Sequence, residues 1–119
     1  MIECQSLFHK KLLEGNFVYT AETTPPDSSD QEILLNKTKP LKGVADAVNL
    51  TDSPGAKVHM SSLTAAIILA QNDIEPIWQL TVRDRNRLAL QGDLVGASAL
   101  GVHNILCLSG DDPKNGDQP

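Results

Sequence analysis

The chain has 119 residues, about the size of one domain, and 40% of them are hydrophobic, so it has the composition of an ordinary globular protein. Its formal net charge of −5 argues against nucleic acid as a partner, because a nucleic-acid-binding surface needs clustered Lys and Arg. The longest apolar run, residues 63–70, is too short to span a bilayer and the N-terminus has no secretory apolar block, which predicts a cytoplasmic protein without a membrane partner.

The first quarter of the chain predicts a helix, a strand and a second helix. The N-terminal segment has the pattern of a short amphipathic helix, and its apolar side carries Leu7, Phe8, Leu12 and Leu13. β-Branched and aromatic residues predict a strand at residues 17–22. Ser or Asp at positions 28–30 can cap the following helix, and Pro40 should end or kink it near Lys39.

The same alternation continues to the end of the chain. An Ala-rich helix follows a cap at Ser61 or Ser62, and a longer helix ends at Gly101, a glycine in the usual C′ position. The predicted strands are residues 17–22, 47–52, 75–82 and 104–109. Because strands alternate with helices, we predict an α/β fold of parallel βα repeats joined by right-handed helical crossovers.

Polar residues occur at the carboxyl end of every predicted strand, where parallel sheets gather their functional groups. They are Glu22 on the first strand, Asn49, Thr51 and Asp52 on the second, Gln79, Thr81, Arg83 and Asp84 on the third, and Ser109, Gly110, Asp111 and Asp112 on the fourth. Each also has a structural explanation. Glu22 could be a solvated strand terminus, the aspartates could be turn residues, and Arg83, Asp84, Arg85 and Arg87 could form surface ion pairs.

Other chemical signals are weak. His9, His59 and His103 are scattered without metal-ligand spacing, which predicts no metal site. The chain has no glycine-rich phosphate loop and no Ser-centred nucleophile elbow. Cys4 and Cys107 lie far apart, and the apolar neighbours of Cys107 predict a small core residue in a reduced protein.

Three segments together resemble the methylenetetrahydrofolate reductase family. They are TAETTPP at residues 20–26, ADAVNLTDSPGA at 45–56, and the long stretch from residue 78 onward. The last stretch contains R-D-R-N, a helix with an internal Gly-Asp-Leu, and a final S-G-D-D-P. The segments follow one another in the family's order over nearly the whole chain.

The resemblance implies the fold of that family, a TIM-type (βα)8 barrel that carries FAD at the carboxyl ends of its strands. Only the first four strands are represented. We therefore expect residues 1–119 to form a single partial domain, the N-terminal half of a truncated barrel, with an open strand edge at each side.

The resemblance also implies roles for eight residues. Glu22 matches the acid that protonates the folate N10 and opens the five-membered ring to an iminium that accepts hydride. Asp111 matches an acid close to the flavin and the pterin, where its charge tunes the site. The remaining cofactor-binding candidates are Thr51, Asp52, Gln79, Leu108, Ser109 and Gly110. Some members have His in place of Gln79 and Arg in place of Ser109, so neither position here can supply that charge.

The implied activity is the flavin-dependent reduction of 5,10-methylenetetrahydrofolate to 5-methyltetrahydrofolate, with NAD(P)H as electron donor and folate as the small-molecule partner. One alternative is a folate- or pterin-binding barrel that transfers a methyl group. Another is a non-catalytic half-barrel that assembles with another chain, as a homo-oligomer or with a hetero-partner. Glu22 and the S-G-D-D strand end favour the reductase.

Overall fold

Four parallel strands lie side by side in one sheet in the order in which they occur along the chain. In this computed structural model, which describes residues 3–119, the strands are β1 (Thr20–Thr23), β2 (Ala47–Leu50), β3 (Pro76–Thr81) and β4 (Ile105–Leu108). Each neighbouring pair is parallel, so the predicted α/β arrangement of βα repeats is confirmed for this sheet. The two outer strands, β1 and β4, each leave one edge unpaired within the described residues.

Helices precede and connect the strands. They are α1 (Leu7–Leu13), α2 (Gln31–Thr38), α3 (Ser62–Gln71) and α4 (Arg87–Ala99), with short 3₁₀ turns at Lys39–Leu41, Pro54–Ala56 and Pro113–Asn115. Side-chain oxygens of Asp30 and Ser61 cap the starts of α2 and α3, as predicted. Pro40 lies just after the end of α2, and Gly101 follows α4 with a φ of +83°, so both predicted helix ends are confirmed.

The core lies between the sheet and α3. Val48 and Leu50 of β2 and Trp78 and Leu80 of β3 alternate along their strands and pack against the apolar side of the helix. Trp78 is fully buried, and its indole N–H donates to the Ser62 hydroxyl at 3.1 Å. That hydroxyl donates to the Gln79 carbonyl at 3.0 Å, so the first turn of α3 is bonded to the strand it covers.

The strand register sets which side chains share the opposite face of the sheet. Glu22 lies beside Asn49, Asn49 beside Ile77, and Gln79 beside Leu106. Because side chains alternate across a strand, these residues occupy the face that α3 does not cover. The face therefore carries the polar side chains of Glu22, Asn49 and Gln79 on β1 to β3, beside the apolar Ile77 on β3 and Leu106 on β4.

Three sequence predictions need correction. Cys107 is exposed and not a core residue, because β4 lies at the edge of the sheet and all four of its residues are exposed. The strand predicted from residue 17 starts at Thr20, and the exposed rings of Phe17 and Tyr19 form an edge-to-face contact before it. The second strand ends at Leu50, two residues before Asp52, and the chain then turns at Ser53, whose φ is +45°.

The N-terminal helix forms as predicted, but α1 buries none of its residues. It is held mainly by polar contacts at the amino ends of the strands. Ser6 donates to Asn104 at 2.7 Å, and the Phe8 N–H donates to the Glu75 carboxylate at 3.3 Å. Among the described residues, no helix is both long enough and apolar enough to cross a membrane.

Candidate active site at the carboxyl ends of the strands

A cavity of about 360 Å³ lies at the carboxyl ends of all four strands. It is lined by Glu22, Thr51, Asp52, Pro54, Gln79, Thr81, Leu108, Ser109, Gly110 and Asp111. All eight residues singled out from the sequence are among them. The reason is the topology, since parallel strands end at the same edge of their sheet. The roles of these residues toward a cofactor or substrate remain predictions.

Glu22 is held by an amide from β3. The Gln79 side chain is buried, and its Nε2 donates to Glu22 Oε2 at 3.0 Å and to Asn49 Oδ1 at 3.4 Å. Glu22 itself is exposed at the end of β1. One carboxyl oxygen is therefore oriented by the protein, and the group remains accessible to a molecule in the cavity.

Asp52 forms the most buried ionic contact of the site. Its Oδ2 accepts hydrogen bonds from the Thr81 N–H and hydroxyl, both at 2.9 Å, and from Arg85 Nη1 at 2.7 Å. Burial by itself raises the pKa of the Asp52 carboxyl, but the hydrogen bonds from Arg85 and Thr81 outweigh it and bring the pKa below its usual value of 3.8. Asp52 is therefore a carboxylate that links the loop after β2 to β3. Its Oδ2 is already engaged in hydrogen bonds within the chain.

We expect Asp52→Asn to reduce the free energy of unfolding by about 3 kcal/mol at pH 7, because it leaves the Arg85 charge without its buried partner. Urea unfolding followed by circular dichroism measures the loss. Since the folded pKa of Asp52 is lowered, its contribution is complete above pH 3.8 and is lost as the pH falls through the folded pKa. The difference between the two proteins should therefore shrink below pH 3.8.

Asp93→Asn is the matched control for that prediction. Asp93 pairs with the same Arg85 guanidinium, but at 3.7 Å and with a side chain that is 39% exposed. An exposed ion pair of this kind contributes only about 0–1 kcal/mol. Equal losses in the two variants would show that the buried geometry of Asp52 carries no special stability.

The loop after β4 lies against the loop after β2. Asp111 Oδ2 accepts from the Gly55 N–H at 2.6 Å, and Asp117 Oδ2 accepts from the Val58 N–H at 2.8 Å. The Asp117 N–H in turn donates to the Ala56 carbonyl at 3.1 Å. These bonds place Asp111 at the rim of the cavity through its own side chain.

Gly110 has a backbone conformation that favours glycine and lies close to the Arg83 side chain. Its φ is +89°, a conformation that residues with a side chain rarely adopt. A Cβ at this position would lie 2.9 Å from Nη1 of Arg83. The family resemblance implies that a glycine here lets a flavin approach closely, and the structure adds that the Arg83 side chain lies against the same position.

For three residues of this site, the sequence pattern does not identify the partners that they bind within the chain. Arg83 and Arg85 have the pattern of surface ion pairs, yet their side chains are only 9% and 19% exposed. Asn49 is one of the polar residues at the end of its strand, and it accepts from Gln79. Arg83 donates to Ser53 and Arg85 to Asp52. Each of these three partners lies about 30 residues away along the chain, so no local pattern could have identified the contacts.

Comparison with known proteins agrees with the sequence resemblance. No match was found among curated proteins. The family model described as methylenetetrahydrofolate reductase matches residues 7–119, which is nearly the whole chain and includes every residue that lines the cavity. The chain therefore belongs to the methylenetetrahydrofolate reductase family.

Proposed function

We propose that this chain supplies part of the active site of a flavin-dependent enzyme that reduces 5,10-methylenetetrahydrofolate to 5-methyltetrahydrofolate, with NAD(P)H as electron donor. In this proposal the four strands are the first half of a (βα)8 barrel. The observation that carries the proposal is the convergence of Glu22, Gln79 and Asp111 on one cavity in a chain of this family.

The cavity suits the ring system of a flavin. Its volume of about 360 Å³ lies near the lower end of the range of roughly 300–1,000 Å³ that is typical of small-molecule sites. Leu108 provides an apolar surface, and the polar residues Glu22, Ser109 and Asp111 line the same cavity. Mixed lining of this kind matches a flat heteroaromatic ring with polar edges, whereas the nucleotide portion of FAD would need contacts from further strands.

When bound, reduced FAD supplies the hydride that converts the methylene carbon to a methyl group. The chain's own contribution is a proton. Opening the folate ring requires protonation of N10, because a neutral amine leaves far more readily than an amide-like anion, and Glu22 is the acid that lines the cavity. Gln79 Nε2 donates to Oε2 of Glu22, which leaves Oε1 to carry and deliver the proton.

Asp111 has a different role in this proposal. Its carboxylate is directed by the Gly55 N–H, and it borders the same cavity as Leu108 and Gly110. A fixed negative charge beside a flavin disfavours a build-up of electrons on the ring, so it tunes the reduction potential. We assign Asp111 to cofactor tuning and Glu22 to proton transfer.

A complete enzyme that contains this segment tests the proposed function. We expect it to carry a flavin that NAD(P)H bleaches under anaerobic conditions and that 5,10-methylenetetrahydrofolate then reoxidises. The methyl-transfer alternative predicts a protein without a functional flavin. A colourless protein, or a reduced flavin that the folate does not reoxidise, would contradict the reductase assignment.

A further inference from the structure

The guanidinium of Arg83 joins the two loops that border the cavity. Arg83 follows β3, and its Nη2 donates to the Ser53 carbonyl at 3.2 Å in the loop after β2. Its Nη1 donates to the Asp111 carbonyl at 3.0 Å in the loop after β4. The Arg83 side chain is only 9% exposed, although the bond to the exposed Asp111 lies at the surface.

The two carbonyls require the planar fork of an arginine. A guanidinium presents several N–H donors in a rigid plane and can bond two acceptors at once, whereas a lysine ammonium is a compact charge on a flexible stem. The Gly110 backbone packs directly against this plane, because a Cβ there would lie 3.3 Å from Cζ. The packing against Gly110 and the hydrogen bonds to the two carbonyls therefore both depend on the guanidinium.

Arg83 and Gly55 together hold Asp111 at two points. Arg83 bonds the main-chain carbonyl of Asp111, and the Gly55 N–H bonds its carboxylate. Gly55 lies two residues beyond Ser53, the other acceptor of Arg83. Without the Arg83 guanidinium, the main chain of Asp111 and the Gly55 loop that binds its carboxylate can both shift relative to the cavity.

The charge of Arg83 is already balanced. Its Nε donates to Asp84 Oδ2 at 2.8 Å, and Asp84 is held in a left-handed conformation with a φ of +67°. The net charge of this pair is zero, so its field within the cavity is weak. Arg83 therefore acts on the cavity by positioning the two loops and contributes little to the electrostatic potential there.

We propose that Arg83 is a positioning residue for the flavin. It holds the Ser109–Gly110–Asp111 turn and the loop after β2 in the arrangement that the isoalloxazine ring requires, and it takes no part in proton transfer. This inference rests on the proposed function for the identity of the ligand. The bridge between the loops is independent of that identity.

The test compares Arg83→Lys with Arg83→Gln in the complete enzyme. Both variants lose the fork, but only the lysine keeps the charge. We expect the Kd for FAD, measured by flavin fluorescence on the apoenzyme, to rise at least about tenfold in both variants. The two variants should show the same rise, because both lose the fork and the charge of Arg83 is balanced by Asp84.

A second measurement needs no cofactor. Hydrogen exchange of residues 53–58 in the apoenzyme, followed by mass spectrometry, should become faster in both Arg83 variants, because the Gly55 N–H loses a firmly placed acceptor. Arg87→Lys is the matched control. Arg87 is exposed at the start of α4 and forms no ion pair among residues 3–119, so both readouts should remain unchanged.

The outcomes distinguish the positioning role of Arg83 from the proposed function of the enzyme. An Arg83→Lys enzyme that binds FAD as tightly as wild type and keeps slow exchange at residues 53–58 would overturn the positioning role. A wild-type enzyme without FAD would instead overturn the proposed function, and the exchange data would still decide whether Arg83 bridges the loops. If both Arg83 variants fail to fold, Gly110→Ala takes their place, because a Cβ there would lie 2.9 Å from Nη1 of Arg83 and would displace the guanidinium. Unchanged exchange at residues 53–58 in Gly110→Ala would then reject the proposal.

Discussion

Replacing Glu22 by Gln in a complete enzyme that contains this segment is expected to slow folate reduction by on the order of 10²-fold or more. Reduction of the flavin by NAD(P)H should keep its rate. The substitution preserves the size of the side chain, and its amide oxygen can still accept from Gln79 Nε2. What it removes is a proton that can be transferred to N10 of the folate.

Stopped-flow absorbance of the two half-reactions provides the measurement. The flavin is first reduced by NAD(P)H, and its reoxidation by 5,10-methylenetetrahydrofolate is then followed separately. Glu32→Gln on the exposed side of α2 is a control that changes the same charge far from the cavity. Equal losses in both half-reactions of Glu22→Gln would point to a structural role for Glu22 and remove it from the proposed mechanism.

A preparation of residues 1–119 alone is expected to lose FAD during purification and to have no reductase activity. In our proposal the described strands contact the ring system, and the rest of the cofactor needs strands that this segment does not supply. If about half of the contacts are missing, several kcal/mol of binding free energy are missing too, and each 1.4 kcal/mol weakens binding about tenfold. The expected loss of affinity is therefore at least about a thousandfold.

The same preparation is expected to self-associate. Every residue of β3 is buried, whereas every residue of β4 is exposed, including Ile105, Leu106 and Leu108. At the other edge, Phe17 and Tyr19 are 80% and 66% exposed. Unpaired strand edges next to apolar surface promote association between chains.

Flavin absorbance and light scattering coupled to gel filtration test both expectations. Thiol labelling adds a local probe, because Cys107 lies on the β4 edge and Cys4 lies in the segment before α1, and both are exposed in the single chain. Association through β4 should protect Cys107 and leave Cys4 reactive. A yellow, monomeric and active preparation would contradict the prediction and require a complete site within the four strands.

Local patterns determined much of the architecture from the sequence alone. A cap such as Asp30, a stop such as Pro40 and a C′ glycine such as Gly101 act within a few residues of their own position. The alternation of strands and helices then implies a parallel sheet, and a parallel sheet brings its strand ends together. For that reason the sequence alone is enough to predict that Glu22, Thr51, Gln79 and Asp111 open on one face, and all four line the cavity.

The tertiary structure alone decided which charged groups are bound within the chain. Asp52 could be a turn residue, a cofactor ligand or a partner of Arg85, and only the packing of β2 against β3 shows that Arg85 and Thr81 bind its carboxylate. The backbone conformation of Gly110 and its contact with Arg83 are likewise determined by the tertiary structure. Cys107 is exposed because β4 is at the edge, although its apolar neighbours resemble a core strand. Each of these outcomes depends on contacts or strand positions that connect distant parts of the chain, and a local sequence pattern contains no information about them.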